Sequence, residues 1–359
     1  MDQTQDKEFR IRIGISHGDI NGISYEVILK TLQDQRLAEN YTIILYGSSK
    51  VASYYRKLTE VNELNFNIIK KAEQAHPRRP NILNVVDEEI RIDMGNLTPV
   101  AGELAYKALE MAMDDLLKGN IDVLVTAPIN KKNIQSEHFH FPGHTEYLAD
   151  RCKADDSLML MVTRSFRIGV VTGHIPLNQV AAALSAELII RKIKLLNESL
   201  KQDFGIIKPR IALLALNPHA GDDGLIGDED QRIIKPAIDE AFTNGILAFG
   251  PYPADGFFGT ANFREFDAIL AMYHDQGMIP FKLLSFDEGV NFTAGLPVVR
   301  TSPAHGTAFD IAGKNQANPN AFRHALFQGG DIFTNRVKYK ELLSNALKSP
   351  NQAKENSTE

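Results

Sequence analysis

Short apolar runs alternate with helical segments along most of this chain, and that alternation confines it to the parallel α/β architectures. The strand candidates are Ile11–Ile15, Thr42–Tyr46, Val123–Thr126, Ile168–Thr172, Ile211–Ala215 and Ala268–Met272. The helix candidates are Tyr25–Leu32, Gly102–Lys118, Leu177–Leu200 and Asp230–Ala241. Asn217–Gly224 and Ala294–Thr307 are rich in Gly, Pro and Asn and read as ordered loops, while the tail from Ser349 reads as frayed. At 359 residues the chain exceeds one ordinary core, so two domains or one large divided unit are expected.

Composition removes several function classes. A net charge of -6, with no basic run of five or more residues, argues against a nucleic-acid partner. No apolar stretch is long enough to span a bilayer, so no membrane role is expected. The single cysteine, Cys152, leaves no internal disulfide, fits a reducing compartment and reads as an inert thiol. With a polar, acidic start that has no signal region, the expectation is a soluble cytoplasmic protein.

Three apolar runs end on a histidine beside a Gly or Pro break: His174, His219 and His274. Ligands of α/β proteins bind at the carboxyl ends of strands, and neutral imidazole suits zinc and its first-row neighbours. Three such ends point to one shared metal, although each histidine alone reads equally as a cap on its own strand. Asp275 follows His274, and Asp255 lies in Gly250–Gly256. An ionised carboxylate beside a cation orients ligands or takes a proton, and Asp255 reads equally as a turn aspartate. Gly143-His-Thr-Glu146 offers His144, Thr145 and Glu146 at a possible helix start, which favours anions; Thr145 and Glu146 read equally as plain first-turn residues. Lys282, Asn291 and Arg300 could converge on a phosphate or carboxylate, or lie scattered on the surface.

A dinucleotide fingerprint is missing. Gly14–Gly22 follows a strand and precedes a helix without matching G-x-G-x-x-G, so a standard Rossmann site is unsupported. His305–Pro319 is the better candidate: Gly306 permits close backbone approach, His305 can stack on a base, and Asp310 can accept from ribose hydroxyls or an adenine amine. On its residues alone it remains a Gly-rich polar loop.

Taken together, these blocks resemble the PdxA family of 4-hydroxythreonine-4-phosphate dehydrogenases. The matching stretches are Gly18–Gly22, Thr126–Lys131, Pro142–Glu146, Leu216–Gly221, Pro253–Asp255 and, most specifically, Tyr273–Gly277 onward through Gly313. They run in the family's order from about residue 11 to 325. His305–Pro319 is also similar to the adenosine-binding loop of isocitrate and isopropylmalate dehydrogenases. Two departures touch loop geometry: Ile20-Asn-Gly-Ile-Ser-Tyr-Glu26 replaces a Pro-Ala-Gly-Ile-Gly-Pro-Glu type run, and Thr172-Gly-His174 replaces Thr-Thr-His.

The resemblance implies two α/β/α domains of isocitrate/isopropylmalate dehydrogenase-like architecture around an active-site cleft. A terminal domain (1–128 plus 281–359) would carry the NAD loop, and a central domain (129–280) the metal ligands and dimer interface. By position, the family's metal ligands match His174, His219 and His274, and its substrate residues His144, Thr145, Lys282, Asn291 and Arg300. Its acidic catalytic residues match Asp255 and Asp275, and its cofactor loop His305, Gly306, Thr307, Ala308, Asp310 and Asn318. The implied cofactors are NAD, preferred over NADP, and one divalent ion, zinc first with magnesium or cobalt as alternatives. The implied partners are a small phosphorylated substrate and a second copy of the chain that completes the site in a homodimer. The implied reaction oxidises 4-phosphooxy-L-threonine and releases carbon dioxide, giving 3-amino-2-oxopropyl phosphate in vitamin B6 biosynthesis. A relative acting on 4-phosphothreonate would keep the same ligands. A cofactor-free zinc hydrolase is the rival of another class, since three histidines and an acid also suit water activation. A non-catalytic phosphate-binding module would leave the histidines and the late loop unexplained together.

Overall fold

The computed structural model describes residues 9–345, so the tail from Ser349 lies outside the described residues. Twelve strands form one sheet: β1 (Ile11–Ser16), β2 (Tyr41–Gly47), β3 (Asn67–Ile69), β4 (Asn81–Asn84), β5 (Val123–Thr126), β6 (Leu158–Val162), β7 (Arg167–Thr172), β8 (Arg210–Leu214), β9 (Leu247–Tyr252), β10 (Ala268–Tyr273), β11 (Val290–Ala294) and β12 (Val299–Pro303). Their order is β3-β4-β2-β1-β5-β12-β11-β6-β7-β10-β8-β9. The six strands expected from apolar runs all appear. Of these, β2 and β5 are wholly buried and β7, β8 and β10 are buried but for one residue each, as interior parallel strands must be.

The other six strands carry weaker signals. β3 has three residues at the sheet edge, β6 is Leu-Met-Leu-Met-Val with a single β-branched residue, and β9 holds Gly250-Pro251 at the opposite edge. β12 corrects the reading of Ala294–Thr307 as loop: Arg300, Thr301 and Ser302 are polar yet buried in mid-sheet, so apolar patterning cannot reveal them.

Helices connect the strands: α1 (Ser24–Leu32), α2 (Gln35–Asn40), α3 (Ser49–Leu58), α4 (Pro99–Leu117), α5 (His144–Cys152), α6 (Val180–Ala183), α7 (Ala186–Gln202), α8 (Lys235–Thr243), α9 (Ala254–Gly259), α10 (His274–Ser285) and α11 (Asn320–Ser344). The single helix expected over Leu177–Leu200 is broken. Leu184 is extended, and Ser185 restarts the chain by accepting the Leu188 N–H, a strong N-cap. The segment from Asp230 opens with one π turn, Asp230–Ile234, before α8.

Strand direction and packing together create the site. β1 to β5 and β12 run one way; β11 reverses, β6 returns, and β7 to β10 run opposite to β5. On one face a single apolar cluster runs beneath both wings and takes in α1, α7 and α11. The opposite face carries two separate clusters, one of α4 and α5 over the first wing and one of α9 and α10 over the second. The gap between them is the cleft. Its floor is β12, β11 and β6. The sheet runs unbroken beneath it and residue 281 lies within α10, so the expected division into 1–128 plus 281–359 and 129–280 stays a proposal.

Candidate active site

A cavity of about 260 Å³ occupies the gap and draws residues from both wings. The first turn of α5 supplies His144, Thr145 and Glu146, and Lys131 precedes it. An open helix N-terminus of this kind favours an anion. The floor supplies Arg300 from β12 and Asn291 from β11; the second wing supplies His174 beyond β7 and His274 and Lys282 from α10. His305 and Gly306 close it from the loop after β12. Nine of the expected site residues therefore line one cavity: His144, Thr145, His174, His274, Lys282, Asn291, Arg300, His305 and Gly306.

The polar groups there are conspicuously unmet. Arg300 is 2 % exposed, and its guanidinium bonds only hydroxyls: Thr126 Oγ1 at 3.1 and 2.6 Å and Thr293 Oγ1 at 3.4 Å. Burial pushes its pKa down to about 9. His144 Nε2, Asn291 Oδ1 and His305 Nε2 are buried without a partner. Burial first, then repulsion by Arg300 and Lys131, holds the His144 ring well below the usual histidine range and keeps it neutral. Buried polar groups are normally satisfied, so three unpartnered atoms beside a buried guanidinium in one cavity mark the place of a polar ligand.

His17 lies outside this cavity, 1 % exposed against Tyr25, and burial pushes its pKa down to about 4. Between the ordinary 6.5 and that value the unfolded chain binds a proton that the folded chain refuses. Stability therefore rises with pH across that window and is lost as pH falls through it, by about 1.4 kcal/mol per pH unit. Denaturant unfolding at about pH 6 and about pH 5 should show this slope in the wild type and a shallower one in His17→Asn. Equal slopes would refute it.

The imidazoles of His174 and His274 lie 5.6 Å apart between ring centres, within reach of one ion. His274 Nδ1 is 2.7 Å from Asp275 Oδ1, which leaves Nε2 free to ligate. Asp275 thus meets His274 directly without itself lining the cavity. His219 stays apart. It is exposed on a turn where His219, Ala220, Gly221, Asp222 and Asp223 all have positive φ. Left-handed conformation costs non-glycine residues about 1–2 kcal/mol each. The Asp230 carboxylate pins this turn by accepting the Leu216 and Asn217 N–H groups. Among the described residues no three His, Cys, Asp or Glu side chains gather to hold a metal. His174 and His274 therefore share one cavity, while His219 is exposed away from it. Asp255, in the first turn of α9, is also exposed and outside the cavity.

The late loop is divided too. His305 and Gly306 face the cavity, and a side chain at Gly306 would meet nothing within 4 Å, so a ligand has room there. Asp310 is exposed. Thr307 accepts the Ile23 N–H through its carbonyl, Ala308 has φ 42°, and Asn318 is engaged by Asp287 and by the Asn320 N–H. These three shape the loop. Gly18 and Gly22 of the early glycine segment likewise pack on the chain's own backbone, at Pro128 and Thr307. Sequence reasoning missed Lys131 and the Met159, Met161 and Met278 wall, and left Glu146 as a helix starter; all five line the cavity.

With this geometry in place, comparison with known proteins is informative. The family model described as pyridoxal phosphate biosynthetic protein PdxA matches residues 39–328. A 4-hydroxythreonine-4-phosphate dehydrogenase of Bacteroides thetaiotaomicron is 52% identical over 343 residues, 95% of this chain and 94% of that protein. The D-threonate 4-phosphate dehydrogenase of Salmonella typhimurium is 37% identical over 309 residues, 85% of this chain and 94% of that protein. The crystal structure of 4-hydroxythreonine-4-phosphate dehydrogenase from Klebsiella pneumoniae superposes with a TM-score of 0.78 at 33% identity, covering 92% of this chain and 99% of that one. An open cavity between two wings, built on the motifs of that family and matched along nearly its whole length, places this chain in the PdxA family.

Proposed function

We propose that this protein is a 4-hydroxythreonine-4-phosphate dehydrogenase that uses NAD and one divalent ion, zinc first with magnesium or cobalt as alternatives. The observation that carries the reading is the buried Arg300, which hydrogen-bonds hydroxyls and makes no direct ion pair among the described residues, in one cavity with the unmet atoms of His144 and Asn291, a cradle for a phosphorylated substrate. Arg300 and Lys282 hold the anionic groups, and the α5 amides with Thr145 complete the grip. That binding energy, remote from the reacting carbon, orients the substrate. The ion supplies Lewis acidity toward the alcohol and the ketone that replaces it, and NAD accepts the hydride. The alcohol loses a hydride and a proton; the bond to the carboxylate then breaks, carbon dioxide leaves, and protonation gives 3-amino-2-oxopropyl phosphate. The methionine wall keeps water from the reacting carbon. His305 and Gly306 would meet the cofactor, with Asp310 on its ribose.

The assembly we infer is a homodimer in which His219, and Asp255 with it, completes the partner's site. Leu177, Leu225 and Ile226 are exposed on the segments that carry His174 and His219, an apolar surface that a second copy would cover. No helix among the described residues is long and apolar enough to cross a membrane. The single cysteine, its thiol pushed up by burial, fits the cytoplasm.

NADH formation from 4-phosphooxy-L-threonine after metal reconstitution is the test, with 4-phospho-D-threonate alongside because of the Salmonella relative. Faster turnover of the threonate would reassign the substrate, and no NADH from either would remove the dehydrogenase reading. A carboxylate on the ribose repels a 2′-phosphate. Asp310→Ala should therefore narrow a wild-type preference for NAD over NADP, measured as the ratio of kcat/KM values. An unchanged ratio would take Asp310 out of the cofactor site.

A further inference from the structure

Glu146 is the only carboxylate lining a cavity that holds Lys131, Lys282 and Arg300. Its Oε1 is 3.6 Å from His174 Nδ1, a contact still too long for a hydrogen bond and of the kind that tightens when a site fills. Its Oε2 and Lys131 Nζ both lie beside Gly143, where an added Cβ would meet them at 3.5 and 3.9 Å. Glu146 is also the opposing charge that Arg300 feels. His174 is thus the counterpart of His274, whose Nδ1 faces Asp275. Each imidazole has a carboxylate on Nδ1, the arrangement that leaves Nε2 as the ligating nitrogen.

Building on the function proposed above, we propose that Glu146 is a positioning residue shared by the two halves of the site. It fixes the Nδ1–H form of His174 for the divalent ion, and it partly neutralises Arg300 and Lys131 while no phosphate is bound. The two roles predict effects of opposite sign from one substitution. In Glu146→Gln the full-length protein should bind Co²⁺ roughly 10- to 100-fold more weakly, the usual cost of losing such a partner. The same variant should bind inorganic phosphate roughly 3- to 10-fold more tightly, because the cations lose the one carboxylate that lines their cavity. Glu146→Asp keeps the charge and shortens the reach. It should return phosphate affinity toward wild type while cobalt binding stays weak.

Equilibrium dialysis of Co²⁺ and calorimetry of phosphate supply both readouts without turnover. Weakening of both ligands in Glu146→Gln would indicate a general structural defect and overturn the proposal, as would unchanged cobalt binding or unchanged phosphate binding. His174→Ala separates this from the metal assignment. If that variant keeps full cobalt affinity, the proposed metal site has failed and Glu146 loses its role with it. If His174→Ala weakens cobalt and Glu146→Gln does not, Glu146 alone is refuted.

Discussion

Arg300→Met is expected to abolish turnover and at the same time to make the ligand-free protein more stable. The guanidinium sits in mid-sheet on β12, hydrogen-bonded to threonine hydroxyls and with Glu146 across the cavity rather than in a direct ion pair. Burying a charge without an opposite partner costs several kcal/mol, and replacing such ions by apolar side chains of similar volume stabilises proteins by about 1–4 kcal/mol. The depressed pKa of about 9 is the same penalty seen from the proton's side. A doubly charged phosphate offsets it. Without the cation, kcat/KM should fall by about 3–5 kcal/mol of transition-state stabilisation, or roughly 100- to 10⁴-fold. Arg300→Lys keeps charge but loses the planar fork, and should cost about 1.5–3 kcal/mol. Inorganic phosphate should raise the Tm of the wild type and leave that of Arg300→Met unmoved. A less stable methionine variant, or one still stabilised by phosphate, would show that the guanidinium is a structural group.

The metal histidines should each be indispensable, yet in mixed assemblies they should not be equivalent. His174→Ala, His219→Ala and His274→Ala are each expected to lose turnover and bound metal with the fold intact. His174 and His274 share one cavity while His219 points away from it on its left-handed turn. If His219 serves the partner's site, a mixed dimer of His174→Ala and His219→Ala chains has one site with both defects and one with none. Random pairing then makes about half the dimers mixed and restores about one quarter of wild-type activity. A mixture of His174→Ala with His274→Ala should restore none, since both defects fall in one cavity. No recovery in the first mixture would mean that a single protomer assembles all three ligands.

The sequence made six parallel strands, β1, β2, β5, β7, β8 and β10, legible because their interiors are buried and apolar. It hid β11 and β12 for the opposite reason: they form the cleft floor, so Asn291, Arg300 and Ser302 interrupt their pattern where function requires it. The site histidines could be found as strand ends, which is a local property. Their division into a pair and an outlier could not, since it depends on the turn after β8 folding left-handed. Glu146 could be read beside His144 and Thr145 at a helix start or as a plain first-turn residue, but nothing in its spacing signals the imidazole contact or the nearby Lys131.

The unbroken sheet has a mechanical consequence. From β5 through β12, β11 and β6 to β7, backbone hydrogen bonds tie the two walls of the cleft to one plate. No free connector joins those walls, so closing them on a ligand would have to bend or coil the plate itself. The work of gripping a ligand would then be held as deformation of the floor and returned when the product leaves. Opening would be recoil, and its speed would be set by the stiffness of the strands that carry Asn291 and Arg300.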